Sequence, residues 1–380
     1  MFRLRVEPPP VSPAYRLTSL SFRITVCAAI GAAILLESVH MDSEPSGGFP
    51  SPALFLEAAV AYRRSAALRA GIELDLFSVL AEAPLDAESL AARCGAAPRG
   101  VRILCDALAT LGMLRKEGGL YSLTPEAAIF LNRASPACMA DAFQFLGSPH
   151  IENAFRDLTG AVRRGGTPAG SANVLAPEHE FWLHFARAMA PMMAYPADSI
   201  AQLLGADSAE PWQVLDVAAG HGMFGIAIAR HNPNASITAL DWPGVLAIAR
   251  ENAQAAGVAE RFRDLSGSAF DLDFGSGYHL ILLTNFLHHF DPATCEALLR
   301  RVHAALVPGG RAAVLEFVPS EDRLGPAFAS LFALNMLVHT AAGDAYTFSE
   351  LQRMLRDAGF GSCEIQSLPP GPQSLVIASK

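Results

Sequence analysis

Apolar positions along the chain change period several times, and each change marks an element. The sharpest change lies at residues 213–241. A short apolar run at 214–218 has the length of a buried strand. Gly220, Gly222 and Gly225 follow, where the backbone must turn tightly and approach a ligand with no Cβ in the way. Phe224, Ile226, Ile228 and Ala229 then fall on the inner face of an amphipathic helix, and residues 237–240 form a second strand closed by Asp241. Strand, glycine turn, helix and strand with a terminal acid predict an adenosine-cofactor site, the acid taking both ribose hydroxyls. Further strands are expected at 278–285 and 312–317, helices at 328–338 and 346–359, and a terminal hairpin from 362–367 and 373–379.

The first half of the chain reads differently. Phe55, Ala59, Tyr62, Ala66, Leu68 and Ala70 keep helical spacing, which continues over 74–80 after Gly71. Residues 85–93 begin with a cap and run as a short helix. A turn at 94–98 leads to a helix over 99–111 ending at Gly112, and 114–123 alternates around Gly118 and Gly119 as a small hairpin. Helix, turn, helix and hairpin make a winged-helix pattern, whose second helix can read a major groove. Here that helix is mostly apolar, with Arg99 and Arg102 its only basic residues, and in the wing Glu117 offsets Arg115 and Lys116. So little charge for neutralising phosphates predicts burial against another domain or subunit and no nucleic-acid partner. Residues 124–190 continue as helices broken at Pro136, Pro149 and the 165–170 loop. An apolar helix over 181–189 then leads to Met189, Met192, Met193 and Tyr195, read either as interdomain core or as an adaptable pocket wall for an aromatic ligand.

Length and charge narrow the picture. The 380 residues suggest two domains and a tail, and a net charge of −9 argues against a general nucleic-acid surface. Six scattered cysteines without a Cys-x-x-Cys pair fit reduced thiols in a cytoplasmic protein and offer no metal site. Arg3, Arg5, Arg16 and Arg23 precede an apolar run at 24–36 that is shorter than the roughly 20 residues of a membrane span. Met41 is read as the true start, with a signal or anchor and a genuine tail as the alternatives. The expected organisation is an N-terminal extension at 1–45, a helical winged-helix domain at 46–195 and a cofactor-binding domain at 196–380.

Gly220-x-Gly222-x-x-Gly225 with Asp241 also fits a dinucleotide fingerprint. Three features turn the reading elsewhere. Asp216 occupies a strand position that a dinucleotide fold fills with an apolar residue. No basic or small polar cluster follows the glycines to meet a pyrophosphate. The turn Leu306-Val-Pro-Gly-Gly310 before the strand at 312–317 resembles the one before the fifth strand of S-adenosylmethionine-dependent methyltransferases. From about residue 50 onward the chain resembles small-molecule O-methyltransferases of the plant phenolic and acetylserotonin group. The similar stretches are Asp241-Trp-Pro-Gly-Val245, Phe286-Leu-His-His-Phe-Asp291, Gly309-Gly-Arg-Ala-Ala-Val-Leu-Glu316 and Leu334-Asn-Met-Leu-Val338, with Tyr346-Thr-Phe348 following.

The resemblance implies a class I methyltransferase fold of the α/β class, Rossmann-like, with a mostly parallel sheet and an antiparallel C-terminal hairpin. It also implies an all-helical, winged-helix-like dimerisation domain, a homodimer and a small-molecule acceptor. S-adenosylmethionine would be held by Asp216, Gly220, Gly222, Asp241, Ser268, Ala269, Phe270 and Thr284. Met189, Met193, Asn285 and Asn335 would meet the acceptor. His288 matches the general base and Glu316 the acid that orients it. A phenol with a pKa of ~10 needs such help at neutral pH, and a histidine with a reference pKa of ~6.5 can supply it. Two positions depart from the family: a second acid falls on Ala345, with Asp344 one residue earlier, and Ser268 replaces the adenine-binding acid. Methylation of carbon, with His288 only positioning the acceptor, and a regulator that senses the cofactor through a winged helix are the alternative readings.

Overall fold

The computed structural model describes residues 50–168, 180–369 and 371–380. The basic and apolar N-terminal stretch, its start-site and leader readings, and Ala169 and Gly170 of the predicted loop lie outside these residues. The chain divides into two compact units, Met1–Arg64 and Ser65–Lys380. In the first, helix α1 (Ala53–Val60) has no buried residue, and Leu54 and Phe55 are more than two-thirds exposed. Arg64 and Glu57 pair at 3.4 Å.

Helix α2 spans Tyr62–Glu73. In the second unit the predicted helical run breaks at Asp75, whose φ of 53° is left-handed, before α3 (Leu76–Glu82). Asp86 caps α4 (Ala87–Cys94) by accepting from the Ser89 N–H at 2.7 Å. Helix α5 (Pro98–Thr110) and the hairpin of β1 (Leu114–Glu117) and β2 (Leu120–Leu123) complete the winged-helix pattern. The domain is thus helical except for this wing. Leu76, Phe77, Leu90, Cys105, Leu108 and Tyr121 form its core. Asp106 binds Arg102 at 3.0 Å, Lys116 at 2.6 Å and the Tyr121 hydroxyl at 2.7 Å, so two of the basic side chains are neutralised within the fold.

Short helices α6 (Pro125–Phe130), α7 (Ala140–Leu146), α8 (Pro149–Phe155) and α9 (Leu158–Arg164) lead to α10 (Glu180–Leu203). This helix runs through Pro191 and Pro196, and the expected boundary at 195/196 falls inside it. A helix-interior proline costs about 3 kcal/mol. Burial of Met189, Met193, Ala197, Ile200 and Ala201 outweighs that here. Met189 and Met193 therefore belong to the core.

The remaining chain builds a seven-stranded sheet in the order β5-β4-β3-β6-β7-β9-β8. Strands β3 (Gln213–Val217), β4 (Ser236–Asp241), β5 (Phe262–Ser266), β6 (Tyr278–Thr284) and β7 (Leu306–Glu316) are parallel, while β9 (Ser374–Ser379) runs antiparallel to both β7 and β8 (Ser362–Ser367). The predicted turn at 306–310 opens β7, with a register shift opposite Tyr278 and Leu280. Helices α11 (Met223–His231) and α12 (Pro243–Ala255) share one core with α10, and α13 (Pro292–Ala305) and α15 (Phe348–Asp357) share another. Helix α11 was expected to be amphipathic but is buried from Phe224 to Ala229 without a break, because α10 packs over the face that would otherwise meet water. Helix α14 (Ala327–His339) connects β7 to α15. Among the described residues no helix is long and apolar enough to cross a membrane.

Candidate active site

In an open α/β sheet the ligand crevice lies outside the carboxyl ends of the strands, at the point where strand order reverses. Here that point is between β3 and β6. The turn after β3 holds Gly220 (φ 58°) and Gly222 (φ 74°) in the left-handed region. A Cβ on Gly220 would meet nothing closer than 3.9 Å, which leaves an open backbone cradle, whereas one on Gly222 would press on Ala249 at 2.9 Å. Gly225 is required by packing: its Cβ would sit 2.7 Å from Ile237.

Two carboxylates flank the cradle. Asp241 accepts from the N–H of Gly220 at 2.8 Å and of Trp242 at 2.7 Å. Asp216 is fully buried; its Oδ2 accepts from Gly225 N–H at 3.0 Å, and its Oδ1 has no partner among the described residues. Burial pushes Asp216 up to about 7 and Asp241 up to about 6. An orphaned acidic oxygen, a second carboxylate with spare lone pairs and an open glycine turn fit a ligand carrying an ammonium group and ribose hydroxyls. S-adenosylmethionine is such a ligand.

The loop after β5 carries the three residues expected on the adenine side. Ala269 is buried, Phe270 is partly exposed, and Ser268 Oγ accepts from Phe270 N–H at 3.1 Å while its own proton stays free to donate. Arg301 of α13 braces this loop through the carbonyls of Ala269 (2.5 Å) and Leu272 and lies over the Phe274 ring at 4.4 Å. Thr284 is buried at the end of β6.

Past β6 the chain enters a 3₁₀ turn, Leu287–His289. Glu316, at the end of β7, is its organising group. Oε1 collects the N–H groups of Phe286 (3.1 Å), Leu287 (2.9 Å) and His288 (3.3 Å), and Oε2 lies 2.5 Å from His288 Nδ1. Both side chains are buried. A carboxylate on Nδ1 places the proton there and leaves Nε2 as the acceptor. Beneath the turn, the Cys295 thiol donates to Leu287 O at 3.3 Å and the Tyr346 hydroxyl donates to Phe290 O. Gly343 backs onto it so closely that a Cβ would strike the His288 carbonyl.

Aromatic rings surround His288. Phe332 stands perpendicular to it at 4.9 Å, and Phe317 lies tilted against Phe332 at 4.2 Å. His289 lies 4.3 Å from His288 and 5.7 Å from Trp182. Burial, then the nearby His288 and His339 rings, hold His289 well below the usual histidine range.

The structure thus brings together Asp216, Gly220, Gly222 and Asp241 at one end, and His288 with Glu316 at the other. Asp344 does not replace the missing second acid: it pairs with Arg323 at 3.3 Å and accepts from Ala345 N–H, which leaves Glu316 alone on His288. Asn285 is tied through Oδ1 to Gln373 at 2.5 Å. Asn335 sits half-buried on α14 with no side-chain hydrogen bond among the described residues. Residues missed by sequence reasoning are Arg301, Cys295, Phe317, Trp182 and His339. Only His339 had a readable signal, its spacing from Phe332 and Asn335 along one helix face. Among the described residues no cluster of His, Cys, Asp or Glu can hold a metal ion.

Comparison with known proteins agrees with this geometry. Residues 155–361 match the O-methyltransferase domain and residues 56–133 the O-methyltransferase dimerisation domain. The tetracenomycin polyketide synthesis 8-O-methyl transferase of Streptomyces glaucescens is 30% identical over 333 residues, covering 87% of this chain and 97% of that protein. A Nostoc punctiforme structure assigned as an O-methyltransferase is 48% identical with a TM-score of 0.83, over 88% of this chain and 100% of the other. Human N-acetylserotonin methyltransferase, solved in complex with S-adenosylmethionine, is 26% identical with a TM-score of 0.77, over 89% and 99%. The chain belongs to the O-methyltransferase family and is an S-adenosylmethionine-dependent enzyme that carries its own dimerisation domain.

Proposed function

We propose that the enzyme methylates a hydroxyl on a small aromatic or polyketide-derived acceptor, with His288 Nε2 removing the proton. The observation that carries this reading is the Glu316–His288 contact of 2.5 Å, which commits Nδ1 as donor and frees Nε2 as base. Phe317 and Phe332 beside His288 suit a flat ring, and the similar polyketide and acetylserotonin enzymes act on substrates of that kind by their names.

When bound, S-adenosylmethionine supplies an electrophilic methyl group on a sulfonium sulfur. Gly220 and Gly222 offer the cradle, Asp216 and Asp241 the acceptors for ammonium and ribose, and Ser268, Ala269, Phe270 and Thr284 the adenine side. Holding acceptor oxygen and base together supplies much of the remaining rate. Glu316 keeps the His288 tautomer and stabilises the imidazolium formed once the proton has moved.

The dimerisation domain and the exposed Leu54 and Phe55 of α1 support a homodimer in which a second copy covers that helix. Labelled methyl uptake from S-adenosylmethionine by a panel of phenols, quinols and polyketides, followed by product identification, tests the reaction. An O-methyl product is expected. A product methylated only at carbon would overturn the role given to His288.

A further inference from the structure

Between the end of β6 and the 3₁₀ turn that carries His288, the backbone bends sharply at Asn285. Its φ of 55° lies in the left-handed region. A residue with a Cβ is strained there, and stays only where its surroundings over-determine it. Contacts from three directions do so here. The Asn285 N–H donates to the Leu315 carbonyl of β7 at 2.8 Å. The next N–H, of Phe286, donates to Glu316 Oε1 at 3.1 Å. The third contact comes from a distant part of the chain: Gln373, 88 positions on, donates through Nε2 to Asn285 Oδ1 at 2.5 Å. The first two anchor the backbone, and the third holds the side chain and, through Cβ, the φ of the residue.

Gln373 is itself held. Its side chain is buried, and its carbonyl accepts from the Leu368 N–H at 3.2 Å. The residue after it, Ser374, stands opposite Glu316 in the β7–β9 register. Two amides and a carboxylate thus brace a single turn. If Asn285 left the left-handed region, the N–H groups of Phe286, Leu287 and His288 would be drawn away from Glu316 Oε1. A displacement of about 1 Å at a reacting group can cost on the order of a hundredfold in rate.

We propose that Gln373 is a positioning residue: its amide holds Asn285 left-handed and so sets the turn that aims His288 at the acceptor oxygen. This rests on the reading of His288 as base for the step affected, and not for the tether itself. The test is a double-mutant cycle on the full chain, read by hydrogen exchange of the Phe286, Leu287 and His288 N–H groups and by kinetics on the fastest acceptor of the phenol panel. Gln373→Met keeps the size of the side chain and removes the donor. It should speed the exchange and lower kcat, each by about tenfold, with acceptor KM and S-adenosylmethionine affinity within about twofold of wild type. Asn285→Gly adopts the left-handed conformation without strain, so in that background Gln373→Met should change either readout by less than about twofold. Two substitutions that act independently overturn the proposal. So does a Gln373→Met variant with raised KM and unchanged kcat, which would make Asn285 an acceptor contact instead. If Gln373→Met does not fold, Asn285→Gly and Asn285→Ala decide, because both lack the tether and differ only in what the left-handed conformation costs. The glycine variant should turn over about tenfold faster than the alanine variant, and equal rates overturn the proposal. Turnover kept in His288→Ala, with the exchange still coupled, counts against His288 as base and leaves the tether in place.

Discussion

The two ends of the crevice are built in different ways. At β3 and β4 the site is made of backbone and carboxylates drawn from 29 consecutive positions, residues 213–241, and its shape depends on what glycine permits. At β6 and β7 it is made of side chains from β7, α10 and α14, with Glu316 tying the turn together. A cradle of backbone suits a ligand that never changes, and a wall of interchangeable rings suits one that differs from relative to relative.

The largest expected effect comes from breaking the donor end alone. Asp241→Ala removes the acceptor for Gly220 and Trp242 N–H and for the ribose hydroxyls, and S-adenosylmethionine affinity should fall about hundredfold by calorimetry, on the order of two charge-assisted hydrogen bonds. Acceptor affinity should stay within a few-fold. If both fall together, the two ends are not separable.

Glu316→Gln strikes the acceptor end more gently. The amide oxygen can still gather the three backbone N–H groups, but the negative charge that stabilises the imidazolium is gone. Turnover should drop by about ten- to hundredfold with S-adenosylmethionine affinity unchanged. A variant with full turnover would show that the carboxylate is only structural.

The smallest effect is in pH. Asp216 at about 7 and Asp241 at about 6 lie above the ordinary carboxylate value, so the folded ligand-free protein holds protons that the unfolded chain has released. Their contribution to stability is present below the unfolded value near 3.8 and is lost as pH rises through about 7. Ligand-free thermal stability should therefore decline across that window, while affinity for the cationic cofactor increases as the carboxylates charge. An affinity flat from pH 5 to 8, a range of roughly the raised values and one unit either side, would contradict the assignment of both acids to the donor end.

The same contrast explains what could be read from the sequence. The glycine turn and Asp241 were legible because their spacing is local, whereas His288 and Glu316, 28 positions apart, were assigned only through the resemblance to the family. Met189 and Met193 were readable only as core or pocket, since nothing in the sequence says that α10 continues past Pro191 and Pro196 and presses them onto α11. Asp344 looked free to serve His288, yet Arg323, 21 positions away, holds it.

The central claim is that donor binding and proton removal are carried by different residues, with His288 as the base. It is tested most directly by measuring S-adenosylmethionine affinity and turnover together in His288→Ala. The account predicts an affinity within about twofold of wild type and a loss of roughly 10²- to 10⁴-fold in kcat, the usual worth of general base catalysis. Undiminished turnover on a phenolic acceptor, or turnover lost only because the cofactor no longer binds, would contradict it.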